Sequence, residues 1–213
     1  MEFIKKEIKE YSSLYTDKEP LLLKDLNRET WAKVMNPRML SGHIQGRILS
    51  MFSKLISPKN ILEIGTYTGY SALCLAEGIK ENGIIHTIDI NEEYTSIANR
   101  YFKKSKFNKN IIQHTGSAIN IIPSISERFQ LAFIDADKEN YNNYFDLIIN
   151  KIDVGGYIIA DNVLWSGKVL LDNKDKETIS LDNYNKKIHN DNRVENILLP
   201  VRDGLMICRK ILD

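Results

Sequence analysis

The period of the apolar positions changes once along the chain. Up to about residue 57 they recur at helical spacing. Leu21, Leu22, Leu23, Leu26 and Trp31 mark an amphipathic helix over residues 19–34. Ile44, Leu49, Met51, Phe52, Leu55 and Ile56 mark a second, with Ser41 as its candidate cap. From Pro58 onward short apolar runs alternate with helical stretches. Strands are predicted at 60–64, 84–88, 111–114, 131–134 and 156–160, and helices at 71–79, 92–102 and 141–152. The end differs again. Two apolar runs, 196–201 and 205–211, are joined by Arg202-Asp203-Gly204, and Asp-Gly between strand-like runs signals a tight hairpin.

This order predicts an α/β fold: a Rossmann-like, doubly wound, seven-stranded sheet, mostly parallel, with an antiparallel hairpin at its C-terminal edge. The chain is expected to form one domain over 1–213. Helices of segment 1–57 would cover a site built on the α/β core of 58–213. Polar or glycine residues fall just past the predicted strand ends: Gly65, Asp89, Gly116, Asp135, Asp161 and Asn162. Open α/β sheets bind ligands beyond those ends, so these positions outline a candidate site.

Composition narrows the function classes. A net charge of +1 supplies no global basic field to gather nucleic acid. Cys74 and Cys208 lie far apart in apolar stretches and read as buried thiols rather than metal ligands. His43, His86, His114 and His189 are dispersed and are expected to be structural or exposed. No apolar run approaches the ~20 residues that span a bilayer, and Met1-Glu2-Phe3-Ile4-Lys5-Lys6-Glu7-Ile8 does not read as a secretory leader. A cytoplasmic protein with no membrane partner is expected.

The strongest motif is Ile61-Leu62-Glu63-Ile64-Gly65-Thr66-Tyr67-Thr68-Gly69-Tyr70-Ser71, an apolar strand, a turn with two glycines four apart, and a helix start. A dinucleotide turn would show G-x-G-x-x-G instead. Glu63, two residues before the first glycine, suits a cationic ligand better than a pyrophosphate, which it would repel. S-adenosylmethionine carries a sulfonium and an ammonium. Asp89, ending the next strand, is placed to accept hydrogen bonds from ribose hydroxyls. The second constellation is Asp135-Ala136-Asp137-Lys138 after one strand and Asp161-Asn162 after the next. Two carboxylates and an amide offer hard oxygen ligands, suited to Mg²⁺, Mn²⁺ or Ca²⁺ rather than zinc. Asp137 and Glu139 read as solvated or helix-capping acids.

At these motifs the chain resembles the cation-dependent O-methyltransferases, the group that includes the catechol and caffeoyl-coenzyme A O-methyltransferases. The resemblance runs from residue 60 to about 169, and more weakly through 39–46 and the C-terminal hairpin. It implies S-adenosylmethionine contacts from Met39, Glu63, Gly65, Tyr67, Ser71, Asp89, Asp135 and the turn Gly116-Ser117-Ala118. It implies Asp135, Asp161 and Asn162 as metal ligands and Lys138 as the catalytic lysine. Trp165 is read either as a wall of an aromatic substrate pocket, with Lys138 beside it, or as a loop anchor. A homodimer is expected on the same analogy. The segment 39–46 departs from the proline-containing version of plant members, so a phenylpropanoyl-coenzyme A acceptor is not implied.

The expected chemistry is methyl transfer to a hydroxyl that a metal acidifies and orients while Lys138 takes its proton. The favoured acceptor is a small vicinal dihydroxy aromatic. The alternative is a hydroxylated uridine in tRNA, favoured if Arg38, Arg47, Lys54 and Lys59 gather at one mouth. A non-catalytic cofactor-binding module is a third reading, and it would need neither metal nor base.

Overall fold

The computed structural model describes residues 4–213. The first three residues of the N-terminal run discussed above lie outside the described residues. Seven strands form one sheet: β1 Asn60–Ile64, β2 Ile84–Asp89, β3 Ile111–Thr115, β4 Phe129–Ile134, β5 Ile152–Asp161, β6 Val194–Leu199 and β7 Leu205–Lys210. Their spatial order is β3-β2-β1-β4-β5-β7-β6. The first five are mutually parallel, and β7 runs antiparallel to both β5 and β6. The expected architecture is therefore present, including the antiparallel edge.

The central strands are mostly apolar because both faces are covered, with Glu63, His86 and Thr87 as buried polar exceptions. Successive residues feed opposite cores. Leu62, Ile64, Ala132 and Ile134 pack on one side with helices α7 (Tyr141–Ile149) and α8 (Lys176–Asn190) and the short α6 (Ala118–Ile121). Ile61, Leu131, Phe133 and Ile159 pack on the other with α2 (Leu21–Lys33), α4 (Tyr70–Ala76) and α5 (Glu92–Lys104). Helix α3 (Gly42–Ile56) covers α4 and contributes Leu49 to that second core. Cys74 and Cys208 are free and buried, one in each core.

Three local expectations change. Helix α8 occupies a stretch to which the sequence reading assigned no element. Only Thr178, Leu181, Tyr184 and Ile188 of its residues are buried, a thin stripe at spacings of three and four among charged positions. Asp175 caps it, its side chain accepting from the Thr178 amide at 2.8 Å. Ser41 precedes α3, but its side chain makes no cap bond. The hairpin is not a tight Asp-Gly turn. Pro200, which has no amide hydrogen to give the ladder, follows β6, and five residues separate Leu199 from its partner Leu205. The longer turn is tied to the loop after β5. The Asp203 and Gly204 carbonyls accept from the amides of Leu164 at 2.9 Å and Val163 at 3.2 Å.

The strand order reverses between β1 and β4. Chains leaving β1 and β4 there diverge to opposite sides, which opens a crevice at the C-terminal strand ends. No helix among the described residues is long and apolar enough to cross a membrane.

Candidate active site

A cavity of about 1030 Å³ fills that crevice. One half is built largely of backbone. Gly65 follows β1 at φ +100°, and a Cβ there would stand 1.9 Å from the Asp135 carbonyl oxygen. Only glycine lets the two strand-end loops approach so closely. The Gly65 amide donates to the Ile88 carbonyl at 2.9 Å, which ties the loop to β2. Tyr67 takes a left-handed conformation, φ +48°, and its amide donates to Asp89 Oδ2 at 2.7 Å. The Asn91 amide donates to Asp89 Oδ1 at 2.9 Å. The Asp89 carboxylate is thereby fixed at the cavity wall, each oxygen keeping acceptor capacity for a ligand. Gly116, Ser117 and Ala118 line the wall beside it, with the Gly116 amide donating to the Asp89 carbonyl at 2.8 Å. Met39, Tyr67 and Ser71 line the same half.

Glu63 departs from its expected place. It is fully buried behind the loop and does not line the cavity. Its Oε2 accepts from the Thr87 hydroxyl, while Oε1 has no partner. Burial pushes its carboxyl up to about 8, against the pull of Ser71 and Thr87.

The other half is built of side chains. Lys138, only 6% exposed, stands in a short 3₁₀ turn, Lys138–Asn140, after β4. Its Nζ donates to Asp135 Oδ1 at 3.0 Å, Asn162 Oδ1 at 3.0 Å and the Tyr141 hydroxyl at 2.7 Å. Tyr141 in turn donates to the Asp161 carbonyl at 2.9 Å. Asp161, 2% exposed, ends β5; its Oδ1 accepts from the Asn162 amide at 2.8 Å and its Oδ2 from Gln45 Nε2. Asn162 itself is left-handed, φ +60°, which turns its amide oxygen back toward Lys138. Burial, reinforced by the neighbouring Asp135, pushes the Asp161 carboxyl up to about 6. Trp165 lines the cavity, its ring centroid 5.7 Å from Lys138 Nζ, and also packs on the core. Trp165 is thus a loop anchor that also faces the cavity.

Asp135, Asp161 and Asn162 fit a hard cation. Asp135 and Asn162 already present oxygens to one point, where the Lys138 ammonium sits. Asp161 is a buried carboxylate beside another carboxylate with no cationic group bonded to it, an arrangement a divalent ion would relieve. Among the described residues no three His, Cys, Asp or Glu side chains form a metal cluster, so a third protein oxygen for such an ion would come from the Asn162 amide.

Gln45, Tyr141 and Arg202 went unassigned at the sequence level, though all three touch this half. Tyr141 had a signal in its position three residues after Lys138. Gln45 lay inside the 39–46 segment, and Arg202 inside the hairpin turn, where nothing in the sequence marks the contact. Asp137 is exposed and accepts from Tyr144 and Asn140, and Glu139 pairs with Lys176 at 2.6 Å. The histidines are not all dispersed: His86 and His114 meet across β2 and β3, Nδ1 to Nε2, at 3.0 Å. The basic residues do not gather. Arg47 and Lys54 converge on Glu77, Lys59 precedes β1 at the opposite end of the sheet, and of these four only Arg38 lines the cavity.

A doubly wound sheet with a backbone-held carboxylate on one side of its switch point and a lysine–carboxylate–amide cluster on the other has the layout of a ligand-binding enzyme site. Residues 10–211 match the family model described as O-methyltransferase. Caffeoyl-CoA O-methyltransferase 5 of Nicotiana tabacum is 36% identical over 207 residues, covering 91% of this chain and 86% of that protein. The caffeoyl-CoA O-methyltransferase of Medicago sativa is 37% identical over 198 residues, covering 86% and 80%. Among solved structures, the O-methyltransferase from Bacillus cereus in complex with SAH aligns with a TM-score of 0.89 at 26% identity, covering 96% of this chain and 97% of that one. The SAH-bound methyltransferase PaMTH1 of Podospora anserina gives 0.89 at 26%, covering 96% and 94%. The chain belongs to the O-methyltransferase family and is an S-adenosylmethionine-dependent methyltransferase.

Proposed function

We propose that this chain methylates one hydroxyl of a small vicinal dihydroxy aromatic, aided by a divalent cation, Mg²⁺, Mn²⁺ or Ca²⁺, held by Asp135, Asp161 and Asn162. The observation that carries the reading is the Lys138 amine, buried at the cavity wall and tethered to Asp135, Asn162 and Tyr141. A caffeoyl group is itself a vicinal dihydroxyphenyl unit, and relatives named for it are 35–37% identical to this chain. The gathering of basic residues that would favour tRNA is not present, so the small acceptor is preferred.

S-adenosylmethionine supplies a methyl group on a sulfonium, open to in-line attack by an oxyanion. Asp89 would hold its ribose, and the Gly65 loop and the Gly116-Ser117-Ala118 turn would border it, with Met39, Tyr67, Ser71 and Asp135 completing the contacts. The cation, when bound, supplies Lewis acidity toward the acceptor hydroxyls. In its neutral form, after one Nζ proton has been released to solvent, Lys138 would receive the acceptor's proton at Nζ, with Tyr141 anchoring the amine on the cavity side. Trp165 walls the acceptor and excludes water. Fixing both partners in one geometry supplies a large part of the acceleration. A homodimer located in the cytoplasm completes the proposal.

The test is methyl transfer from labelled donor to catechol and to bulk tRNA. Transfer to catechol should vanish in excess chelator and return with Mg²⁺ or Mn²⁺. Full-rate transfer in chelator, with no metal retained on the protein, would remove the cation from the mechanism. Transfer to tRNA alone would replace the acceptor.

A further inference from the structure

Arg202 stands at the tip of the β6–β7 turn in a left-handed conformation, φ +52°. Its Nη1 donates to the Ser41 carbonyl and to Gln45 Oε1. Gln45 Nε2 in turn donates to Asp161 Oδ2. The guanidinium therefore spans the acceptor half of the cavity, from the sheet edge to the segment leading into α3, and lines it. Both groups it touches are neutral. Among the described residues no carboxylate makes an ion pair with it and Nε and Nη2 have no partner, although its charge acts through space on the Asp161 and Asp203 carboxyls. The adjacent Asp203 is occupied by the Ser166 amide. Glu177 lines the cavity from α8 and Asp137 from the turn after β4, where Tyr144 and Asn140 bond it.

A guanidinium with unused donors on a cavity wall is suited to a planar anion, which it binds in a two-pronged manner. Gln45 orients it: the amide oxygen holds Arg202 while the amide nitrogen holds Asp161. One side chain thereby links the Arg202 guanidinium to the Asp161 carboxylate.

We infer that Arg202 is a specificity-determining residue that recognises a carboxylate on the acceptor, so that the preferred substrate class is an acidic vicinal dihydroxy aromatic. This rests on the diol reading proposed above. It predicts a preference for a ring with the carboxylate remote from the two hydroxyls over the same ring without it.

The test compares 3,4-dihydroxybenzoate with catechol, as kcat/KM in the wild type, Arg202→Gln and Arg202→Lys. A second readout is binding of 3,4-dihydroxybenzoate by titration calorimetry with S-adenosylhomocysteine present. The wild type should favour the acid by about tenfold or more, the size expected for a hydrogen bond to a charged group. Arg202→Gln should collapse that ratio and weaken the acid's binding, and Arg202→Lys should restore part of it. No preference in the wild type overturns the inference. So does an equal loss on both acceptors in Arg202→Gln, because Arg202 would then act only by positioning Asp161 through Gln45. If the wild type methylates neither diol, the diol reading itself falls, which is a distinct result. Unchanged S-adenosylhomocysteine binding verifies that each variant is folded.

Discussion

The two halves of the cavity are made differently. The donor half is mostly main chain: Gly65, the Tyr67 and Asn91 amides, and the Gly116 turn, with one carboxylate held among them. The acceptor half is a side-chain network. Lys138, Asp135, Asn162, Tyr141, Asp161, Gln45 and Arg202 come from separate stretches of chain. Backbone geometry that a short turn dictates tolerates little change. A side-chain network can be altered at its margin without loss of the fold, so acceptor choice can vary while donor binding stays fixed.

The largest effect should come from breaking the donor half at its backbone. Gly65→Ala combines a left-handed backbone with a Cβ 1.9 Å from the Asp135 oxygen. Strain and overpacking together should cost about 3 kcal/mol or more, which removes donor binding or the fold. Calorimetry with S-adenosylhomocysteine and thermal melting read both. A variant that melts and binds normally would show that the two loops can separate freely, and the contrast would lose its basis.

Next is the network. Lys138→Ala should lower turnover ~10²-fold or more while S-adenosylhomocysteine binding persists. Lys138→Arg should not rescue, because a guanidinium does not give up its proton in proteins. Loss of donor binding in Lys138→Ala would mean that the halves are not separable. Of similar or smaller size is Asp89→Ala, which would remove the charge-assisted hydrogen bonds proposed to a ribose. It should weaken S-adenosylhomocysteine by about 1.5–3 kcal/mol. Unchanged affinity would take Asp89 out of the donor half.

This difference also explains what the sequence made legible. The donor half follows from contiguous residues: an apolar strand, Gly65, Gly69 and a helix start are visible in eleven letters. The order of strands and the positions of Asp89, Asp135 and Asp161 at their ends follow from the alternation of apolar runs. Gln45 and Arg202 were not legible, because their contacts with each other and with Asp161 join positions 157 and 116 residues apart. Helix α8 escaped because four buried positions in fifteen give a weak period. The hairpin was legible as an element but not in its turn, since Pro200 ends β6 early and the longer loop bonds the amides of Val163, Leu164 and Ser166. Glu63 was legible as a motif residue, yet its burial depends on packing that no local pattern encodes.

The smallest predicted effect concerns a polar cluster outside the cavity. His86 and His114 bond across β2 and β3 with their rings stacked, and Glu127 Oε2 lies 4.0 Å from His86 Nε2, with Phe129 against the His86 ring. The pair lies away from the cavity lining. Burial lowers both imidazoles below the ordinary value, more than Glu127 raises them. Each is therefore neutral in the folded state at a pH where the unfolded chain, near 6.5, is already taking up protons. The sign follows: the unfolded state binds more protons as pH falls below about 6.5, so stability present above that pH is lost on acidification through the depressed folded values. Melting temperatures measured between pH 7.5 and 5 should fall less steeply for His114→Gln than for the wild type. Binding of S-adenosylhomocysteine at pH 7.5 should be the same in both. An identical pH slope would mean that the imidazoles are not held neutral, whereas a loss of donor binding would connect this cluster to the cavity after all.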